Sequence, residues 1–192
     1  MTYPSSNIGQ LPSKDSLSVV LASDQSNLAV GGNTVTCSTT LIRPSDTTAY
    51  SAKDCVSNST SATTPITFTN AARIAGGTGY ITKALLLSNQ STHTSNIRLW
   101  LYHASNVTVA VDNAPFTIMW ANATPMEGYI DFPALTTEGT GGDSAYALCT
   151  GSPLAFNCAT GDRNLYGVLE TLTAFTPASG QKFFIEITSE QN

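Results

Sequence analysis

From about residue 34 onward, short apolar runs recur between turn residues, and several of them alternate apolar with polar positions at a period of two. In Ile97-Arg98-Leu99-Trp100-Leu101-Tyr102, one face carries Ile97, Leu99 and Leu101 and the other Arg98, Trp100 and Tyr102. Near the C-terminus, Phe183, Ile185 and Ile187 share a face opposite Phe184, Glu186 and Thr188. Successive side chains of a strand point to opposite sides of a sheet, so this alternation predicts strands with one face buried. The pattern predicts strands over 35–41, 49–56, 65–69, 79–88, 96–103, 107–111, 117–120, 129–132, 144–149, 154–158, 165–172 and 182–188. Turn signals separate them, such as Ala75-Gly76-Gly77-Thr78-Gly79, Gly139-Thr140-Gly141-Gly142-Asp143 and Pro177-Ala178-Ser179-Gly180. No window carries apolar residues at helical spacing; residues 133–140 predict a single helical turn at most.

Many short strands at regular spacing without helices predict an all-β fold, an antiparallel β-sandwich of the jelly-roll type. Residues 34–192 are assigned to this sandwich. Residues 1–33 differ, being rich in Pro, Gly and Ser around one apolar island, Leu17-Ser18-Val19-Val20-Leu21-Ala22, which stops at Ser23-Asp24-Gln25. A shorter piece, Leu28-Ala29-Val30, precedes Gly31-Gly32. This segment predicts an extended N-terminal arm, too sparse in apolar residues to fold alone, that docks on its own domain or on a neighbouring subunit.

Composition sharpens the picture. Charged residues make up 11% of the 192-residue chain, against about 25% in a typical soluble domain. About a quarter of the residues are Ser or Thr, which suits strands and turns and suits a helical bundle poorly. The net charge is −5 with eight Lys and Arg in total. Binding to a phosphate backbone needs clustered cations, so neither nucleic acid nor an anionic membrane is an expected partner. Met1 to Gln10 lacks a cationic region followed by an apolar run, so a secretory signal is not expected there.

Candidate chemistry adds little. The cysteines are Cys37, Cys55, Cys149 and Cys158, without a CxxC spacing, and the histidines are His93 and His103; no metal site or cofactor is expected. Eight residues separate Cys149 from Cys158, a spacing compatible with a disulfide across a hairpin. Buried free thiols are the competing assignment. His93, in a polar loop, and His103, at a strand end, are expected to be solvated. Glu127, Asp131, Glu138 and Asp143 fall at turns and strand ends, where an exposed acid needs no catalytic explanation. With no Gly-x-Ser-x-Gly elbow and no phosphate loop, no catalytic residue is assigned and the protein is expected not to be an enzyme.

Several segments resemble known virion proteins. Leu17-Ser18-Val19-Val20-Leu21-Ala22-Ser23-Asp24-Gln25 is similar to the LPVVLASDQ phrase of bacteriophage head and tail fibre proteins, with Ser18 where that phrase has proline. Leu41-Ile42-Arg43-Pro44-Ser45-Asp46-Thr47-Thr48-Ala49-Tyr50, Asp131-Phe132-Pro133-Ala134-Leu135, and Leu165 to Leu172 with Phe175-Thr176-Pro177 resemble a family of small phage structural proteins. The resemblance implies a capsid cement or decoration protein, a homotrimeric β-sandwich subunit made in the bacterial cytoplasm and seated on the major capsid protein of the virion. Leu17, Val19, Val20, Leu21, Ala22, Asp24 and Gln25 would then be partner-binding residues, contributing by β-augmentation. A tail-fibre, neck or baseplate component is the alternative. For a glycan-binding fibre, Trp100, Tyr102, Trp120 and Tyr129 would supply the aromatic platform.

Overall fold

In the computed structural model, residues 34–191 are described, except the side chain of residue 152. Residues 1–33, including the partner-binding positions expected at Leu17 to Gln25, lie outside the described part. The strands are β1 (Thr34–Ile42), β2 (Cys55–Val56), β3 (Ile66–Phe68), β4 (Thr78–Ser88), β5 (Ile97–Tyr102), β6 (Met126–Phe132), β7 (Ala145–Asn157), β8 (Leu165–Thr171) and β9 (Lys182–Gln191). They form two antiparallel sheets, and the expected all-β sandwich is the architecture found. Sheet 1 has the order β1-β9-β4-β7; sheet 2 has the order β2-β8-β5-β6, with β3 also paired to β8. The strands β2 and β3 lie end to end along β8: Cys55 and Val56 face Glu170 and Leu169, and Ile66 to Phe68 face Gly167 to Leu165.

The core lies between the sheets. Leu86, Ile185, Ile187 and Phe183 from sheet 1 meet Leu99, Leu101, Leu165 and Leu169 from sheet 2, all essentially buried. Period-2 alternation explains β9 fully: Phe183, Ile185 and Ile187 point inward while Phe184, Glu186 and Thr188 are half-exposed. The middle strand β8 is buried on both faces throughout. A second apolar cluster on the outer side of sheet 2 explains this. It is built by Cys55, Trp100, Tyr102, Val107, Tyr166 and Val168, with Phe116 and Val109 packed onto it. At Gly167 the main core leaves no room for a side chain, since a Cβ there would sit 2.8 Å from Leu99 Cδ1 and 3.0 Å from Phe68 Cε2.

Several expected elements differ. Residues 107–111 and 117–120 are not strands; their apolar residues belong to a long β5–β6 connection that covers sheet 2, ending in a 3-10 turn at Trp120–Asn122. The 49–56 run contributes only β2 and isolated bridges at Tyr50 and Asp54. Residues 133–140 hold no helical turn. The two runs 144–149 and 154–158 are not a hairpin but one 13-residue strand, β7. Its partner β4 pairs Ile81 with Leu154 and Lys83 with Thr150, so residues 151–153 loop out opposite Thr82. Gly151, at φ 98°, and Pro153, without an N–H, sit where a bulged edge strand tolerates them.

This geometry corrects the Cys149–Cys158 disulfide. Cys149 lies within β7 and Cys158 directly follows its last residue, so at roughly 3.3 Å per strand residue the two are far beyond the roughly 7 Å a disulfide allows between Cα atoms. All four cysteines are free. Cys149 instead donates its S–H to the Asp131 carbonyl at 2.8 Å. Burial pushes the Cys37 and Cys55 thiols up to about 12 and Cys158 to about 11, which keeps them protonated and unreactive.

Candidate functional site

Polar side chains in the described region satisfy one another. No buried side-chain N or O atom there lacks a hydrogen-bond partner. The deepest network joins three separate segments. Arg43 Nη2 donates to Asp112 Oδ2 at 2.8 Å, with both side chains fully buried. Tyr50 donates its hydroxyl to Asp112 Oδ1 at 2.6 Å, and the Ser57 N–H donates to the same oxygen at 2.8 Å. Arg43 Nε donates to the Tyr50 hydroxyl, and its Nη2 also reaches Asp46. Burial works against the Arg43 charge, but Asp112 and Tyr50 outweigh it and its pKa moves up. The Tyr50 ring stacks on Phe175 at 4.7 Å. Arg43, Asp46 and Tyr50 of the first family-like segment, and Phe175 of the last, are thus parts of a fold lock. Phe132 and Leu135 of the Asp131–Leu135 segment are core.

His93 is also structural, contrary to the solvated loop residue expected. It is buried between the rings of Phe175 and Phe183. Its Nε2 lies 2.7 Å from Ser95 Oγ, a pairing that superficially resembles a nucleophile and its base. The protonation pattern opposes that use. The Ala178 N–H donates to Gln181 Oε1 at 3.1 Å, so the other end of the amide is its NH₂. That NH₂ donates to Ser88 Oγ at 2.8 Å and to His93 Nδ1 at 3.2 Å. With Nδ1 accepting, the proton of the neutral ring sits on Nε2, and His93 donates to Ser95 rather than deprotonating it. Burial lowers the His93 pKa to about 4.

Of the acids considered for catalysis, Asp131 and Glu127 pair with bases, and no two of the four acids bond to each other. Asp131 takes a bidentate bond from Arg98, at 2.6 and 2.8 Å. Glu127 bonds His103 through one oxygen, so His103 is held and not simply solvated, and accepts the Asn157 N–H at 3.1 Å through the other. Glu138 lies 3.5 Å from the Tyr146 hydroxyl, which donates to it. Among the described residues, no three His, Cys, Asp or Glu side chains gather where they could hold a metal ion.

What the structure leaves unsatisfied is apolar surface. The outer face of sheet 1 carries two cross-strand rows. Phe184, Leu87 and Tyr146 stand side by side on β9, β4 and β7, and Leu85 and Leu148 stand next to them. Leu148 is 47% and Tyr146 37% exposed. The outward face of a half-buried strand is ordinarily polar, so this strip is anomalous. The β5–β6 connection supplies a second patch: Trp120 is 92% exposed, flanked by Ile118 at 52% and Met119 at 42%.

Of the aromatic residues considered for a glycan platform, Trp100 and Tyr102 are core. Trp100 Nε1 donates to the buried Glu170 at 2.7 Å. Tyr129 is half-exposed, with the Arg98 guanidinium over its ring at 3.9 Å. The structure does not bring Trp100, Tyr102, Trp120 and Tyr129 together as one exposed platform. The apolar face of sheet 1 escaped the sequence reading, although Leu85-Leu86-Leu87 and Phe183-Phe184 signal it by being apolar at consecutive positions. A scan against protein-family models finds no match, and a search of the curated proteins finds no relative.

Proposed function

We propose that the chain is a non-enzymatic structural subunit of a bacteriophage particle, a capsid cement or decoration protein that reinforces capsomer joints. The observation that carries this is the pairing of internally satisfied polar groups with large exposed apolar surfaces. A protein whose buried polar side chains are satisfied internally, and which leaves apolar strips exposed on its surface, is suited to be covered by another protein. The resemblance of its segments to phage virion proteins supplies the particle.

Strand pairing supports the finer jelly-roll assignment. With β2 and β3 counted as one interrupted strand, the pairs are first with last (β1·β9), second with seventh (β2/β3·β8), third with sixth (β4·β7) and fourth with fifth (β5·β6). Folding a ribbon of four such pairs over on itself generates a jelly roll, an architecture that viral capsids use repeatedly. The half-exposed Tyr129, with the Arg98 guanidinium beside its ring, favours a second role, as a glycan-contacting tail-fibre, neck or baseplate component; a glycan array separates the two.

The test uses particles that lack the protein. Added back at full length, it should bind saturably and raise the temperature at which the capsids come apart. A version lacking residues 1–30 should remain folded and bind poorly, because the arm with Val19, Val20 and Leu21 carries part of the contact. Full-occupancy binding by the truncated form would remove the arm from the proposal. Absence of binding by the intact protein would remove the proposal itself.

A further inference from the structure

The segment from Asn113 to Met126 contains no charged residue. Two anchors hold its ends. Phe116 stacks on Trp100 with ring centroids 5.4 Å apart and planes 12° from parallel. The buried Asn122 side chain clamps Thr108, accepting its N–H at 3.2 Å and donating to its carbonyl at 3.1 Å. Between these anchors Ile118, Met119 and Trp120 are left exposed, and a 3-10 turn forms the tip. A tryptophan held at 92% exposure on a tethered turn is a preformed knob, and a preformed element loses little conformational entropy on docking.

We infer that this knob docks on the outer face of sheet 1 of a second copy of the same chain, in a head-to-tail contact. The inference rests on the structural-subunit proposal above for its biological setting and on the surfaces themselves for its chemistry. A membrane is a poor occupant, because interfacial insertion is reinforced by cations beside the apolar residues, and none occurs from Asn113 to Met126. A sugar needs polar groups beside the aromatic ring, whereas the neighbours of Trp120 are Met119 and Ala121.

The face formed by Leu85, Leu87, Tyr146, Leu148 and Phe184 has the same polarity: it is apolar and two cross-strand rows wide. The charges beside it cancel, since Lys83 pairs with Glu186 at 3.0 Å. Knob and face occupy opposite sides of the sandwich: the β5–β6 connection packs on sheet 2, and the acceptor is the exterior of sheet 1. One copy cannot bring them together, but two copies can. At the observed exposures the contact would remove roughly 700 Å² of apolar surface from water, scaled from the 150–250 Å² of a large aromatic side chain. With a polar rim, that reaches the size class of specific interfaces, about 1,200–2,000 Å². A head-to-tail contact closes into a ring when successive rotations complete a turn.

Light scattering coupled to size exclusion, on the full-length protein at high micromolar concentration, tests this with two variants. Trp120→Ser removes the knob and Leu148→Glu places a charge in the acceptor; both positions are exposed, and an unchanged Tm verifies that each variant folds. The wild type should elute as an oligomer and each variant alone as a monomer. Mixed, the two should form a species of twice the monomer mass and nothing larger, because only one intact knob and one intact face are available per pair. A monomeric wild type, an oligomer insensitive to Trp120→Ser, or a mixture that stays monomeric would overturn the inference. None of these outcomes depends on particle binding, so the inference and the virion proposal fail separately.

Discussion

At the scale of single residues, the molecule turns on a few buried polar groups. Asp112 receives Arg43, Tyr50 and the Ser57 N–H without access to water. Replacing it by alanine leaves the Arg43 charge buried and uncompensated, a change that typically costs about 3–5 kcal/mol. The urea midpoint of Asp112→Ala should fall accordingly, whereas an unchanged midpoint would mean that Arg43 reaches solvent. His93 gives a pH dependence of definite sign. Its pKa is lowered in the folded protein from 6.5 to about 4, so the unfolded chain binds the extra proton. Stability is full above pH 6.5 and declines as the pH falls toward 4, by an amount on the order of 3 kcal/mol. Denaturation between pH 7 and 5 should show this slope in the wild type and a flatter one in His93→Gln.

At the scale of elements, strands are legible where a run alternates over one wet face, as in β9, or stays largely apolar between turn residues, as in the doubly buried β8. The strands β1, β4, β5, β6, β8 and β9 appear within a few residues of the positions predicted from sequence. The pattern fails where apolar residues serve something other than a sheet. Val107 and Phe116 are apolar because they roof Trp100 and Tyr102, and Ile118 to Trp120 because they form a protruding tip. The bulge in β7 is not legible in the sequence because Gly151 and Pro153 carry the same local signature in a bulge as in a hairpin turn. The Arg43–Asp112 lock could not be read at all: its partners lie 69 residues apart, and only the fold brings them together. Likewise, nothing local to His93 reveals that Phe175 and Phe183 enclose it. The β7 assignment has a direct check. The folded protein should react slowly with a thiol reagent, at the half-buried Cys149 first, and all four thiols should titrate after unfolding without a reductant. A count of two thiols in the unfolded chain would restore a disulfide.

At the scale of the whole molecule, a β-sandwich whose buried polar groups are satisfied internally carries apolar surfaces suited to a neighbour. A subunit of this kind gains from repetition. Each contact is modest, but several held together by one oligomer make release improbable. Low charge fits the same purpose, since it leaves little electrostatic repulsion between copies packed side by side. The number of copies in a purified particle, measured by quantitative mass spectrometry against the major capsid protein, tests this most directly. Hundreds of copies per particle are expected of a protein that seats at capsomer joints. A dozen copies or fewer would contradict capsid decoration and place the chain in the tail or neck.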